Sequence, residues 1–233
     1  DATNYAANGT INEGGATWAN QLTCAGTFGC HGEHGGTVAS PVTEFDAVGG
    51  AHHADDTTID GSTVAQSYRF LYGIEGKEDI DWEYTNAAND HNQYMGSSDT
   101  KTSNTISYLC AECHGKFHTA GSSNGENGVN PWLRHPTDLD MNALGAGTEY
   151  KSYGGGTNAY VVQAPVASTD VSAVKATVLQ AAGDAIVTCI SCHRAHGSPY
   201  DDLLRWNYAG MVAGGASGDP GTGCFHCHTT KDD

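Results

Sequence analysis

Cys189-Ile190-Ser191-Cys192-His193-Arg194-Ala195-His196 is the stretch whose reading decides the fold. Two cysteines flank two residues and a histidine follows at once, which is the C-x-x-C-H spacing of covalent haem attachment. The chemistry explains the spacing. Two thiols must reach two vinyl groups on one porphyrin edge, and the next side chain must swing under the iron as an axial imidazole. His196 then stands three residues further on as a second imidazole.

The same pattern recurs at Cys110-Ala-Glu-Cys113-His114 and Cys224-Phe-His-Cys227-His228. Cys24-Ala-Gly-Thr-Phe-Gly-Cys30-His31 keeps the closing Cys-His but lengthens the gap to five residues. These four motifs use all eight cysteines. Disulfides or C-x-x-C zinc sites are the plainer alternatives, but neither requires a histidine after every second cysteine. The motifs therefore predict four covalently bound haem c groups, tethered through Cys24, Cys30, Cys110, Cys113, Cys189, Cys192, Cys224 and Cys227. His31, His114, His193 and His228 would be the proximal iron ligands.

Composition points the same way. Leu, Ile, Val and Phe supply only 34 of 233 residues and the formal charge is -17, a balance that ordinarily fails to offset chain entropy. Four porphyrin plates would provide the missing apolar core. The expected fold is thus mostly coil with few short helices and strands, wrapped around a stack of four haems. Residues 1–233 read as a single tetrahaem domain, with 1–23 as a candidate N-terminal arm at a subunit interface. The acidic balance argues against nucleic acid and anionic membranes, and the acids read mainly as solvated surface. No apolar run approaches the ~18 residues of a membrane span. A chain beginning at Asp1 reads as processed and exported, and haem c attachment outside the cytoplasm agrees.

Local signals are sparse. Val64, Tyr68 and Leu71 at helical spacing predict a helix over 63–72, capped by Gly73. Residues 159–166 and 184–190 are expected to pair as short strands, and 201–208 to form a helix carrying Leu203, Leu204 and Trp206. Trp82 and Tyr84 are read as haem packing.

Eight histidines remain after the proximal four: His34, His52, His53, His91, His118, His135, His196 and His226. Three methionines, Met95, Met141 and Met211, offer His/Met ligation instead. The histidine surplus favours bis-histidine irons. His52, His53, His91, His135 and His196 are the favoured distal candidates, with at least one surplus. His34 and His118 are reserves, and His226, inside its own motif, is expected around the site or at the surface rather than on an iron. Six-coordinate irons leave no open position for substrate, so an electron carrier is favoured over a multihaem oxidoreductase.

The ordered segments YRFLYGIEGKEDIDWEY, HNQY, CAECHGKFH, WLRHPTDL, CISCHRAHGSPYDDLLRW and CFHCH resemble the OmcE-like tetrahaem extracellular cytochromes, subunits of polymeric filaments. The resemblance runs from about residue 24 to 230. It implies a mostly coil fold around a continuous haem stack, bis-histidine irons, and a histidine from one subunit completing an iron in its neighbour. It further implies a head-to-tail homopolymer at the cell surface that exchanges electrons with redox partner proteins or extracellular acceptors. The long first motif departs from the usual spacing. A soluble periplasmic shuttle is the alternative.

Overall fold

The computed structural model describes residues 20–37, 39–52, 58–98, 102–113, 137–144, 150, 153–213 and 221–228. Most of this backbone is coil. The helices are α1 (Glu44–Val48), α2 (Ile106–Cys113) and α3 (Cys189–Cys192), connected through short 3-10 turns. The strands are β1 (Gly76–Lys77) with β2 (Gln93–Tyr94), and β3 (Leu139–Asp140) with β4 (Ile186–Val187), each pair antiparallel. Among the described residues no helix is long and apolar enough to cross a membrane. The expected mostly-coil architecture is what is observed. Residues 1–19 of the candidate arm and the 121–130 loop lie outside the described residues.

β4 divides the interior in two. Ile186 joins Tyr68, Leu71, Ile74, Tyr94, Ile106 and Ile190 in one cluster. Its neighbours Ala185 and Val187 face the other way, onto Met141, Tyr153, Tyr160, Val166 and Val178. A strand sends successive side chains to opposite faces, so one short segment can seed two cores. The scarce aliphatic residues are thus concentrated around β4.

Three expected elements take other forms. Residues 63–72 are turns leading into a 3-10 turn at Tyr68–Phe70, with Arg69 and Phe70 left-handed at φ 51° and 60°. Ser67 Oγ donates to Thr63 O and accepts from Gly73 N, so local side-chain bonds displace the helical ladder. Residues 201–208 likewise form a 3-10 turn at Asp201–Leu203, with Asp202 and Leu203 left-handed, and then extended chain. Segment 159–166 stops one residue short of 184–190: Ala167 bridges Ile186 antiparallel, with Ala167 N–H on Ile186 O at 2.8 Å and Ile186 N–H on Ala167 O at 2.9 Å, and β3 also pairs with β4. The reason is donor availability: Val161 N–H goes to Tyr153 Oη, Ala164 N–H to Val161 O, and Pro165 has none.

Carboxylates supply much of what regular structure would. Asp184, 9% exposed, accepts backbone N–H groups from Leu179, Gln180 and Ala181 at 2.9 Å each, and the Asn142 amide at 2.9 Å. Asp140 accepts Gly183 N–H at 2.7 Å and Asn142 N–H at 3.0 Å. The acidic residues are therefore not all solvated surface. Several are buried acceptors that satisfy loop donors, as buried backbone requires. Asp184→Ala would strand three backbone donors, so urea denaturation of the holoprotein should show a loss on the order of 2–4 kcal/mol. A loss below about 0.5 kcal/mol would contradict this role.

Candidate haem-binding site

A C-x-x-C pair in one helical turn puts both thiols on one face, because residues three apart are neighbours on a helix. α3 holds Cys189 and Cys192 this way, the backbone of α2 runs through Cys110 to its end at residue 113, and the 3-10 turn Gly223–His226 carries Cys224 with Cys227 as its cap. Ser191 locks α3, since its Oγ accepts Thr188 N–H at 3.0 Å and donates to Pro165 O at 2.6 Å.

The long first motif closes like the standard ones. Cys24 O accepts Cys30 N–H at 3.2 Å and His31 N–H at 3.0 Å. At the last motif, Cys224 O accepts Cys227 N–H at 3.2 Å and His228 N–H at 3.0 Å. Cys189 O accepts His193 N–H at 3.1 Å. The extra residues bulge out through a turn in which Gly29 N–H reaches Gly26 O at 2.9 Å. They leave the two ends of the motif in the standard relation.

Beyond the thiols, a second module repeats. His31 Nδ1 donates to Arg69 O at 2.9 Å, and Gly32 N–H to Phe70 O at 2.7 Å. His193 Nδ1 donates to Asp202 O at 2.7 Å, and Arg194 N–H to Leu203 O at 2.8 Å. In each case the acceptors are the two central, left-handed residues of a type I′ turn, Tyr68–Leu71 and Asp201–Leu204. Side-chain-bearing residues in this region cost on the order of 1–2 kcal/mol each. Strain of this kind collects where geometry must be held. A carbonyl on Nδ1 fixes the tautomer and leaves Nε2 as the lone-pair donor, the usual second-sphere arrangement of a metal-bound histidine. Burial, together with His196 and His34 nearby, lowers the His31 pKa and favours the neutral, ligating form. Sequence reasoning missed Arg69 and Asp202 because a carbonyl acceptor has no residue signature.

The remaining candidates are placed as follows. His34 gives Nδ1 to Glu112 at 3.0 Å and Nε2 to Cys30 O at 2.8 Å, so both nitrogens are committed. Burial raises the Glu112 carboxyl and the His34 bond and charge lower it, and the group lies below its ordinary value. His91 is fully buried, stacked on Tyr160 at 3.5 Å, with Nδ1 on Asn92 O at 2.7 Å and Nε2 3.4 Å from Lys175 O. His196 is exposed, 6.0 Å from the His31 ring. His52 is exposed. His226 is half-buried with Nδ1 lacking a partner among the described residues, and His228 meets the Tyr150 ring edge at 4.9 Å. His53, His114, His118 and His135 lie outside the described residues. Met141 is buried in the second cluster, and Met211 Sδ accepts Cys224 N–H at 3.3 Å. Trp82 lies over the Arg69 guanidinium at 4.0 Å, and both Trp82 and Tyr84 are exposed.

The residues fit a porphyrin tethered by thioethers. The seven cysteines whose side chains are described form no disulfide. Burial pushes the Cys192 and Cys227 thiols up to about 12. An open cleft of about 440 Å³ is lined by Trp82, Val162, Arg194, His196 and Arg205. Glu83 lines it as well, but Arg194 and Arg205 give it two cations to one carboxylate in a chain with 10 Lys and Arg against 27 Asp and Glu, a balance that suits the carboxylates of a porphyrin. Arg205 is fixed beside α3 by Nε on Ile190 O at 2.6 Å and N–H on Cys192 O at 2.8 Å.

Gly32 makes the His31 module sensitive. Its φ is +70°, and a Cβ there would lie 2.4 Å from Ala47 O. Gly32→Ala should lower the thermal midpoint of the holoprotein, with a cost of at least ~1–2 kcal/mol. Gly35→Ala, where a Cβ meets nothing within 4 Å, should leave the midpoint unchanged. Equal behaviour of the two variants would contradict the argument.

Comparison with known proteins agrees with this chemistry. The doubled CXXCH motif family matches residues 181–233, which contain the third and fourth motifs. The C-type cytochrome OmcS of Geobacter sulfurreducens is 28% identical over 243 residues, covering 88% of this chain and 54% of the relative. The chain therefore spans about half the length of the curated relative it matches. No solved structure matches. With the repeated motif geometry, these similarities support a multihaem c-type cytochrome with covalently bound haem c.

Proposed function

We propose that the chain is a tetrahaem electron-transfer subunit that polymerises head to tail into an extracellular filament. The observation that carries the fourth haem is the closure of the long motif on Cys24 O, which reproduces the closure on Cys224 O bond for bond. His31, His114, His193 and His228 would hold the irons from one side, with histidines from the set His52, His53, His91, His135 and His196 on the other. When bound, the haems supply one-electron exchange between ferric and ferrous iron. The chain's part is to orient the imidazoles, cover the porphyrins and set their spacing. Bis-histidine ligation is supported by two of the three methionines, since Met141 is packed in the core and Met211 sulfur is engaged by a backbone N–H, while Met95 is half-buried.

The filament reading rests on the segment resemblance to OmcE-like cytochromes. A heterologous interface that does not close produces a helical polymer. Exposed His52, with His53 beside it in sequence, is the proposed donor region toward the haem at His228 of the next subunit.

Intact-mass spectrometry of the native protein should give the polypeptide plus four haems. Three haems with free Cys24 and Cys30 would remove the first site. Negative-stain microscopy should show filaments, and a monomer at high concentration would support a soluble shuttle instead. Single His52→Ala and His53→Ala variants should include one with impaired filaments or a high-spin iron. Normal, fully low-spin filaments from both would overturn the donor assignment.

A further inference from the structure

The His31 and His196 rings lie with centroids 6.0 Å apart and planes 28° from parallel. Rings in direct contact sit much closer, as His91 and Tyr160 do at 3.5 Å and 2°. A metal–imidazole bond is ~2.0–2.1 Å and the centroid lies ~1 Å behind the nitrogen, so two imidazoles on opposite sides of one metal have centroids ~6 Å apart. The observed gap has that width.

The hydrogen bonding agrees. His31 donates Nδ1–H to Arg69 O, leaving the Nε2 lone pair for a ligand. His196 makes no hydrogen bond among the described residues, so its imidazole is uncommitted. His34 occupies the same place after His31 that His196 occupies after His193, but both its nitrogens are taken. His196 also lines the open cleft beside Trp82 and Arg194.

We infer that His196 is the sixth ligand of the iron held by His31. This rests on the proposed haem at Cys24–His31. The consequence is an order of haems that differs from the order of motifs. His193 and His196 are three residues apart, so the first and third sites become neighbours, bridged by Arg194 and Ala195.

The test is His196→Met in the four-haem protein. Replacing one imidazole by a thioether should give a single His/Met iron, with its far-red sulfur-to-iron charge-transfer band and a raised potential for one haem of four. In a Cys24→Ser/Cys30→Ser background the same substitution should produce no such band, since its iron is gone. A band that persists there overturns the pairing while leaving the four-haem reading intact. A native mass of three haems with free Cys24 and Cys30 would instead remove the first site and the pairing together. Should the double-serine chain fail to fold, electron cryo-microscopy of the native holoprotein decides. His31 and His196 on opposite faces of one iron supports the inference, and His196 on another iron or on none overturns it.

Discussion

A histidine nitrogen held by a backbone carbonyl is the constraint on which the described structure turns. At both His31 and His193 the imidazole is aimed by the carbonyl of a left-handed residue, and the next N–H is bound to the carbonyl after it. The two acceptors come from very different distances, 38 residues away at Arg69 and 9 at Asp202. The same local geometry is therefore reached through unlike connections. A metal-ligating ring needs its tautomer and tilt fixed, and a carbonyl in a tight turn does both without spending a side chain.

That requirement explains why helices are cut short where side-chain spacing favours them. A helix through Tyr68 or Asp202 would commit those carbonyls to its own ladder and point them along its axis. The I′ turn instead presents two successive carbonyls sideways, at the cost of left-handed backbone at Arg69, Phe70, Asp202 and Leu203. The strain is borne by contacts elsewhere. Glu78 accepts Arg69 N–H and pairs with its guanidinium, Asn92 takes the same guanidinium, and Leu71 and Ile74 anchor the turn in the core.

Coil on this scale leaves many backbone donors without ladder partners. Buried carboxylates fill the deficit, with Asp184 closing the turn at 179–184 and Asp140 holding its far side. The negative charge thus has a structural share in addition to solvation. It also gives Arg194 and Arg205 their value, because two cations beside the single carboxylate of Glu83 at one cleft stand out against an acidic chain.

The sequence by itself determined the chemistry and the class of fold. Four Cys-His pairings, few aliphatic residues and a strong acidic balance specify haem attachment and a mostly coil chain, because covalent spacing and composition are local and written in side chains. It also ranked His196 among the distal ligands and His34 among the reserves. Only the tertiary structure decided that the five-residue gap closes on Cys24 O, that Arg69 and Asp202 orient the histidines, and that β4 pairs with β3. Only there does His34 turn to Glu112 while His196 faces His31. These outcomes depend on backbone carbonyls, on donors already consumed elsewhere and on residues up to 165 positions apart brought within 6.0 Å. Neither a carbonyl's direction nor a long-range approach leaves a mark on the spacing of side chains.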